Sequence, residues 1–242
     1  MDLTFTVDAL LKMAAGVPLT LRLAASSVLL GALLGLAFAL MRLAGSALLR
    51  AFAWVYVQLI RSIPLLVLMF LVYYGLGQFQ LVRSSALWPF LREPYWCALT
   101  ALTINTSAYA SEVIRGGLLS VPRGQIEAAR ACGMPPLLMF RRIVLPIAIR
   151  QAIPAYGNEI VAMVKATSLA SLVTLMEVTG IATSIASETY RPVEVFVAAG
   201  MIYLAINFAL ARGVGFLEYR LTAHLRPRPN EPLAALAGGT PT

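Results

Sequence analysis

The sequence predicts an all-α polytopic membrane protein with about five transmembrane helices. Sixty per cent of its 242 residues are hydrophobic and only 12% are charged, whereas about a quarter of the residues in a soluble domain are charged. The mean hydropathy is +0.80. Apolar runs of about 20 residues, the length at which a helix crosses about 30 Å of hydrocarbon, recur along the chain.

These apolar runs predict five crossings within a single membrane domain, residues 1–225. Their predicted ranges are 17–43, 51–77, 94–117, 147–175 and 193–218. The fourth run is too long for a simple crossing, so we expect it to include a re-entrant or surface piece around 167–178. The proline-, alanine- and glycine-rich residues 226–242 predict a disordered cytoplasmic tail.

Arginine predicts the orientation, because cytoplasmic loops are enriched in lysine and arginine. Most of the arginines lie in or near the loop after the first run, the loop 118–146 and the segment after the last run. These segments are predicted to be cytoplasmic, which places the amino terminus outside and the carboxyl terminus inside a bacterial inner membrane. The net charge of +8 is then mainly a topology signal beside anionic lipid headgroups. Its scatter between the runs argues against a nucleic-acid partner.

Small residues recur at every fourth position of the first run. They are Ser27, Gly31, Gly35 and Ala39. This small-xxx-small pattern allows two helices to approach closely in lipid, so we expect the first helix to pack against another helix through this stripe.

The groups that enzymes and metal sites require are scarce. His224 is the single histidine, and the predicted topology puts Cys97 and Cys132 on opposite sides of the membrane. Neither a metal site nor a disulfide between these cysteines is predicted, and no residue is a candidate catalyst. The chain also lacks a Walker A pattern. Any ATPase, with its ATP and magnesium, must therefore be a separate chain, and no cofactor is expected in this one.

The longest predicted cytoplasmic loop carries the strongest motif. Its elements are Glu127-Ala128-Ala129, Gly133 and Ile143-Val144-Leu145-Pro146. Pro122 and Gly133 predict a short helix from Arg123 to Cys132 that ends in a left-handed glycine. Taken alone, this pattern also fits an ordinary amphipathic helix on the membrane surface.

The spacing resembles the EAA loop in permease subunits of ABC importers. The flanking Ser120-Val121-Pro122 and Pro154-Ala155-Tyr156-Gly157-Asn158-Glu159 are similar to the polar amino acid branch, and the resemblance extends from Thr20 to about Glu218. The nearest likeness is to membrane subunits of histidine, lysine/arginine/ornithine and opine importers. It implies a permease that moves polar, basic amino acids or opines inward by alternating access.

The resemblance also implies partners. In this family the EAA helix is the coupling helix that lies in a groove of the ATPase. Docking roles therefore fall on Glu127, Ala128, Ala129, Arg130 and Gly133. Two ATP-binding cassette ATPases and a substrate-binding protein outside would complete the importer. A second, similar permease subunit or a second copy of this chain is expected, and the likeness to histidine-type systems favours a heterodimer.

Arg61 lies inside the second run, where an arginine is costly unless protein or water surrounds it. Arg61-Ser62-Ile63-Pro64 resembles the R-G-[ST]-P element of the family, with Ser62 where glycine is usual. Pro64 should loosen the helix by removing one backbone hydrogen bond, a feature that often marks a polar cavity in transporters. Arg61 either binds substrate or pairs with carbonyls or a carboxylate.

Further polar residues within the predicted crossings are candidate substrate ligands. They are Asn105, Asn158, Glu159 and Thr167. The resemblance associates Gly-Asn-Glu with importers of cationic amino acids or opines, so Glu159 would attract a guanidinium or ammonium group. Alternatively, Glu159 forms a salt bridge with Arg61 or Lys165 that only holds the helices together.

Three polar residues of the third run share one helix face. Asn105, Tyr109 and Glu112 follow at i, i+4 and i+7, so they either line the route or hold helices together. The segment around Glu177 and Glu188 is expected to return to the outer face, where it receives the binding protein or is simply solvated.

Two other functional classes make different demands on the sequence. A secondary transporter or channel for small polar solutes needs no EAA helix, and it should carry internal repeats or coupling-ion carboxylates. No convincing repeat is found. An intramembrane enzyme needs a nucleophile and base or metal ligands within the crossings, and a lone histidine in the tail argues against it.

Overall fold

The computed structural model describes residues 3–221, and these fold almost entirely into helices. The α-helices are α1 (Leu3–Ala14), α2 (Val17–Leu43), α3 (Ala47–Ser62), α4 (Leu65–Phe70), α5 (Gln80–Arg83), α6 (Trp88–Leu91), α7 (Pro94–Leu119), α8 (Arg123–Ala131), α9 (Pro136–Met139), α10 (Leu145–Ala166), α11 (Val178–Thr189) and α12 (Pro192–Leu221). Short π-helical turns follow α4 and α9, and a 3-10 helix, Thr167–Val173, follows α10. His224 and the predicted tail lie outside the described residues.

Helix α7 forms the centre of the bundle and packs against α2, α3, α4 and α10. Its closest neighbour is α2, which meets it through the predicted small-residue stripe. A Cβ added at Gly31 would come within 2.7 Å of Thr106 Cβ, and one added at Gly35 within 2.8 Å of Ala110 Cβ. The stripe is buried along its length. The prediction of close packing through these small residues is therefore confirmed.

Within the described part of the chain, α2 and α12 are each long and apolar enough to cross a membrane. Two bent pairs also qualify if each pair counts as one crossing: Ala47–Ser62 with Leu65–Gln78, and Pro136–Val173 with Val178–Thr189. Helix α7 has 26 residues but is more polar than these, and its polar side chains face other helices. The five predicted crossings remain a prediction.

The chain breaks sharply at Ile63–Pro64. The axes on either side of this point differ by 103°. Ile63 has extended backbone angles, φ −90° and ψ 127°, as expected for a residue that precedes proline. The expected loosening at Pro64 is thus a complete interruption of the helix, because proline both lacks an N–H and excludes the helical conformation from its predecessor.

A second interruption follows α10, in the region where a re-entrant piece was expected. The 3-10 helix Thr167–Val173 ends at Thr174, which has a left-handed backbone with φ 69°. The chain then bends by 49° into α11. Ala170 and Val173 are fully buried in the main core, so this turn belongs to the packed interior.

Helix α1 and the amino-terminal parts of α11 and α12 form a second, smaller apolar core. The two cysteines have different surroundings and do not pair with each other. Cys97 is buried, Cys132 is exposed, and both are free.

Candidate substrate cavity and coupling surface

A cavity of about 530 Å³ lies where the break between α3 and α4 faces α7 and α10. It is lined by Arg61, Ser62, Ile63, Pro64, Leu65, Asn105, Tyr109, Glu159, Ala162, Met163 and Ala166. Three predicted substrate ligands, Arg61, Asn105 and Glu159, therefore meet in one place although 98 residues separate the first from the last in the sequence.

Arg61 reaches the cavity from the last turn of α3, directly before the break. The centre of its guanidinium lies 5.3 Å from the centroid of the Tyr109 ring, a distance at which cation and ring attract each other. The neighbouring Ser62 hydroxyl donates a hydrogen bond to the Gln58 carbonyl at 2.8 Å. The Ser62 hydroxyl therefore bonds within its own helix, and Arg61 is the residue of this segment that brings a charge to the cavity.

Glu159 enters the cavity from the middle of α10. Ala162, Met163 and Ala166 lie on the same helix face, at spacings of three, four and seven residues, and the two alanines leave room around the carboxylate. Glu159 is half-buried. It forms neither a hydrogen bond nor an ion pair with another described residue. The alternative of a salt bridge from Glu159 to Arg61 or Lys165 therefore has no direct contact to support it.

The predicted face of α7 divides between two roles. Asn105 and Tyr109 line the cavity, whereas Glu112 pairs with two arginines. Arg115 donates to Glu112 Oε2 from Nε at 3.0 Å and from a terminal nitrogen at 2.7 Å, and Arg42 at the end of α2 pairs with Oε1. Glu112 thus joins α2 to α7.

Two predicted ligands lie away from this cavity. Asn158 lines a separate groove of about 220 Å³ against α12, with Val214, Gly215 and Glu218. Thr167 is fully buried, and its hydroxyl donates to the Val164 carbonyl at 2.7 Å. A one-residue step rotates a helix by about 100°, which explains why Asn158 and Glu159 face different neighbours.

Sequence reasoning missed Glu177, which it placed in a segment returning to the outer surface. Glu177 is fully buried. Its Oε1 accepts from the Gly180 N–H at 2.9 Å, and its Oε2 accepts from the hydroxyls of Tyr203 at 2.6 Å and Thr20 at 3.3 Å. The Gly180 bond is local and caps the start of α11, whereas Thr20 and Tyr203 lie 157 and 26 residues away. These two distant contacts bury the carboxylate, and no local pattern indicates them.

The predicted coupling helix is present as α8, from Arg123 to Ala131. Gly133 ends it with φ +69°, and the Met134 N–H bonds back to the Ala129 carbonyl at 3.1 Å. This is the glycine-based helix ending that the sequence predicted.

Four of the five predicted docking residues are exposed on this loop: Glu127, Ala128, Arg130 and Gly133. Ala129 differs, since it is only 5% exposed and packs against the protein itself. Apolar side chains are also exposed nearby, with Leu137 at 79% and Leu119 at 58%. The loop therefore presents a mixed polar and apolar surface.

Residues 27–223 match the family described as binding-protein-dependent transport system inner membrane component. The octopine transport system permease protein OccM of Rhizobium meliloti is 56% identical over 91% of this chain and 90% of its own length. The histidine/lysine/arginine/ornithine transport system permease protein HisM of Salmonella typhimurium is 39% identical over 87% of this chain and 90% of its own.

The fold has a solved counterpart. A chain from the crystal structure of an amino acid ABC transporter with histidines superimposes with a TM-score of 0.82 at 33% identity. The match covers 91% of this chain and 99% of that chain.

Proposed function

Because the chain belongs to the binding-protein-dependent transport system inner membrane component family, we propose that it passes basic amino acids or opines into the cytoplasm as the permease subunit of an ABC importer. The observation that carries the choice of substrate is the cavity in which Glu159 and Arg61 meet without pairing. A carboxylate and a guanidinium in one cavity suit a solute that carries both an acidic and a basic group.

The roles of the cavity residues follow from their charges. Glu159 would accept charge-assisted hydrogen bonds from a guanidinium or ammonium group, and the Tyr109 ring would hold the Arg61 guanidinium in place through their cation–π contact. Arg61 would hold a substrate carboxylate, and the Asn105 amide would orient the solute between them. No covalent step is needed, and no cofactor is assigned to this chain.

Transport would proceed by alternating access. A binding protein delivers the solute outside, two ATP-binding cassette ATPases close on ATP, and the coupling helices carry that movement to the membrane helices. Arg61 is exposed in the isolated chain, so a second, similar permease subunit is proposed to complete the wall around it. The proposed assembly pairs two different permeases.

Reconstitution of the assembled complex in proteoliposomes tests this function. Arginine, histidine and octopine should accumulate only when ATP is inside and the binding protein is present. A non-hydrolysable ATP analogue is the matched control. Accumulation that proceeds without ATP would instead support the secondary transporter.

The docking role of α8 has its own test. Ala128→Arg adds a long charged side chain to the exposed face of α8 and should abolish co-purification of the ATPase. Ala47→Arg is the control, because Ala47 is equally exposed on the same predicted side but lies outside the coupling loop. Retention of the ATPase by the Ala128→Arg protein, together with normal uptake, would reject the assignment.

The proposed orientation can be tested by thiol labelling. In a protein without Cys97 and Cys132, a cysteine replacing Arg83 should react with an impermeant reagent added to intact cells. A cysteine replacing Arg130 should react only after the membrane is opened. The opposite pattern would invert the topology and place the coupling helix outside.

A further inference from the structure

Glu177 is a completely buried carboxylate that the transport mechanism above does not use. It forms no ion pair with another described residue. Its oxygens instead accept from three donors: the Gly180 N–H, the Tyr203 hydroxyl and the Thr20 hydroxyl. Thr20 shares its single proton between Glu177 and the Gly16 carbonyl, which lies at 3.2 Å. Burying a carboxylate is costly unless its oxygens accept hydrogen bonds. The need to keep these bonds therefore fixes the positions of the donors around Glu177.

The three donors belong to three different helices. Thr20 lies on α2, Gly180 on α11 and Tyr203 on α12. The network extends further, because the Tyr203 hydroxyl lies 3.0 Å from that of Thr179 and beside the Thr167 side chain. Glu177 therefore fastens the start of α11 to the first turn of α2 and to the first half of α12.

Backbones also approach closely around this carboxylate. A Cβ added at Gly16, just before α2, would lie 2.6 Å from the Val178 N, and a Cβ at Gly180 would collide with the Leu175 carbonyl oxygen. The chain between α10 and α11 thus fits against α2 with no room for a side chain at either glycine.

The turn that precedes Glu177 is strained. Thr174 has φ 69°, and a left-handed backbone is unfavourable for a β-branched residue. The Leu175 N–H reaches back to the Ala170 carbonyl at 3.2 Å and closes the turn. Strain of this kind persists where the surroundings enforce it, and it is concentrated at functional sites. Buried Ala170 and Val173 hold the start of this turn in the core, and Glu177, three residues after Thr174, anchors its other end.

This turn is directly connected to the substrate cavity. Its 3-10 helix begins immediately after Ala166, which lines the cavity, and packs on α4, whose first residue Leu65 lines the cavity from the other side. Helix α10 starts at the coupling loop and rises by about 33 Å over its length. Its last turn therefore lies at the end of the cavity opposite the coupling helix.

We propose that Glu177 is a positioning residue for transport: its carboxylate holds the strained turn that closes the outer end of the cavity. The inference rests on the proposed function. When the hydrogen bonds of Glu177 are weakened, the cavity opens to the outside while it should be open to the cytoplasm, and ATP hydrolysis proceeds without import. Glu177 does not contact the substrate in this scheme.

The test compares Glu177→Gln with Glu188→Gln in the assembled complex with ATPase and binding protein. Glu188 is an exposed glutamate on the same short helix, so its variant controls for the loss of one charge in α11. The amide introduced by Glu177→Gln can still accept from Gly180, but its NH₂ group faces two hydroxyls that both donate to the native carboxylate. Import per ATP hydrolysed should fall about tenfold for Glu177→Gln, as expected when a charged hydrogen bond is lost.

A second readout separates positioning from general damage. In a protein without Cys97 and Cys132, a cysteine replacing Ala166 should react faster with an external thiol reagent when Glu177→Gln is also present. Assembly and unfolding temperature are measured in parallel. Equal coupling and equal labelling in the Glu177→Gln and Glu188→Gln complexes would overturn the proposal.

If the Glu177→Gln complex does not assemble, Tyr203→Phe tests the proposal instead. This variant removes one hydroxyl that donates to Glu177 and leaves the ring in place. It should show the same uncoupled hydrolysis and faster labelling. Normal coupling in Tyr203→Phe would overturn the proposal in that case. Failure of the proposed function itself would look different, since neither the unaltered complex nor Glu188→Gln would then show ATP-dependent import.

Discussion

Glu159 and Glu177 are two carboxylates near the same helix, α10, with opposite surroundings. Glu177 is fully enclosed and accepts from three donors. Glu159 is half-buried, opens into a cavity and has no hydrogen-bond partner among the described residues. A carboxylate whose two oxygens both accept hydrogen bonds within the chain serves the scaffold, whereas a carboxylate without such partners in a cavity is available to a solute.

The largest effect is expected at the enclosed carboxylate. Glu177→Ala leaves the Gly180 N–H buried without this acceptor and leaves the Tyr203 hydroxyl with Thr179 as its hydrogen-bond partner, so the free energy of unfolding should fall by about 3 kcal/mol. Thermal unfolding of the detergent-purified permease measures it, with Glu188→Ala as the exposed control. An unchanged unfolding temperature would remove the distinction between the two carboxylates.

Glu159→Gln should show the reverse pattern. Loss of a charged hydrogen bond to the substrate should reduce arginine uptake by a free-energy equivalent of about 1.5 to 3 kcal/mol, while the unfolding temperature stays the same. Uptake in proteoliposomes and thermal unfolding are measured on the same preparation. A drop in stability with normal arginine, lysine and histidine uptake would move Glu159 to the scaffold.

Glu112 lies between the two cases, since it is paired with Arg42 and Arg115 but partly exposed. Glu112→Gln leaves two arginines facing each other and should lower the free energy of unfolding by about 1 kcal/mol. Substrate affinity should not change, because Glu112 does not line the cavity. An altered Michaelis constant for arginine without any loss of stability would group Glu112 with Glu159 instead.

The smallest effect is expected at Tyr109, whose ring faces the Arg61 guanidinium. Tyr109→Leu removes an attraction of about 0.5 to 1 kcal/mol, so the Michaelis constant for a cationic substrate should rise only a few-fold. Tyr109→Phe keeps the ring and is the matched control. Equal Michaelis constants in these two variants would show that the ring plays no part in recognition.

Local patterns were sufficient for much of the fold. A spacing of four between small residues was enough to predict the α2 stripe, and a glycine after the helix was enough to predict the end of α8. The break at Pro64 followed from the backbone N–H that proline lacks. The cavity was partly predictable, because Arg61, Asn105 and Glu159 are polar residues in apolar runs. Their meeting point depends on a 103° bend, which proline indicates but does not specify.

The remaining site features depend on rotation and distant contacts. Asn158 and Glu159 are adjacent and both polar, yet only Glu159 faces the cavity. The sequence alone does not show how the helix is rotated about its axis, so it cannot tell which of the two residues faces the cavity. Thr167 lies two residues after Lys165 and is predicted to be a ligand, but its hydroxyl donates to the Val164 carbonyl. The sequence predicts Glu177 at the surface because an isolated acid between apolar runs is typical of a loop, and the two hydroxyls that bury it lie 157 and 26 residues away.

The contact between α2 and α7 affects how the substrate selectivity of such a permease can change during evolution. Gly31 touches Thr106, the neighbour of Asn105, and Gly35 touches Ala110, the neighbour of Tyr109. The cavity wall is thus set against two glycines on the far side of the helix. A methyl group gained at either glycine during divergence would push the wall inward, so selectivity can drift between lineages while every cavity residue stays the same.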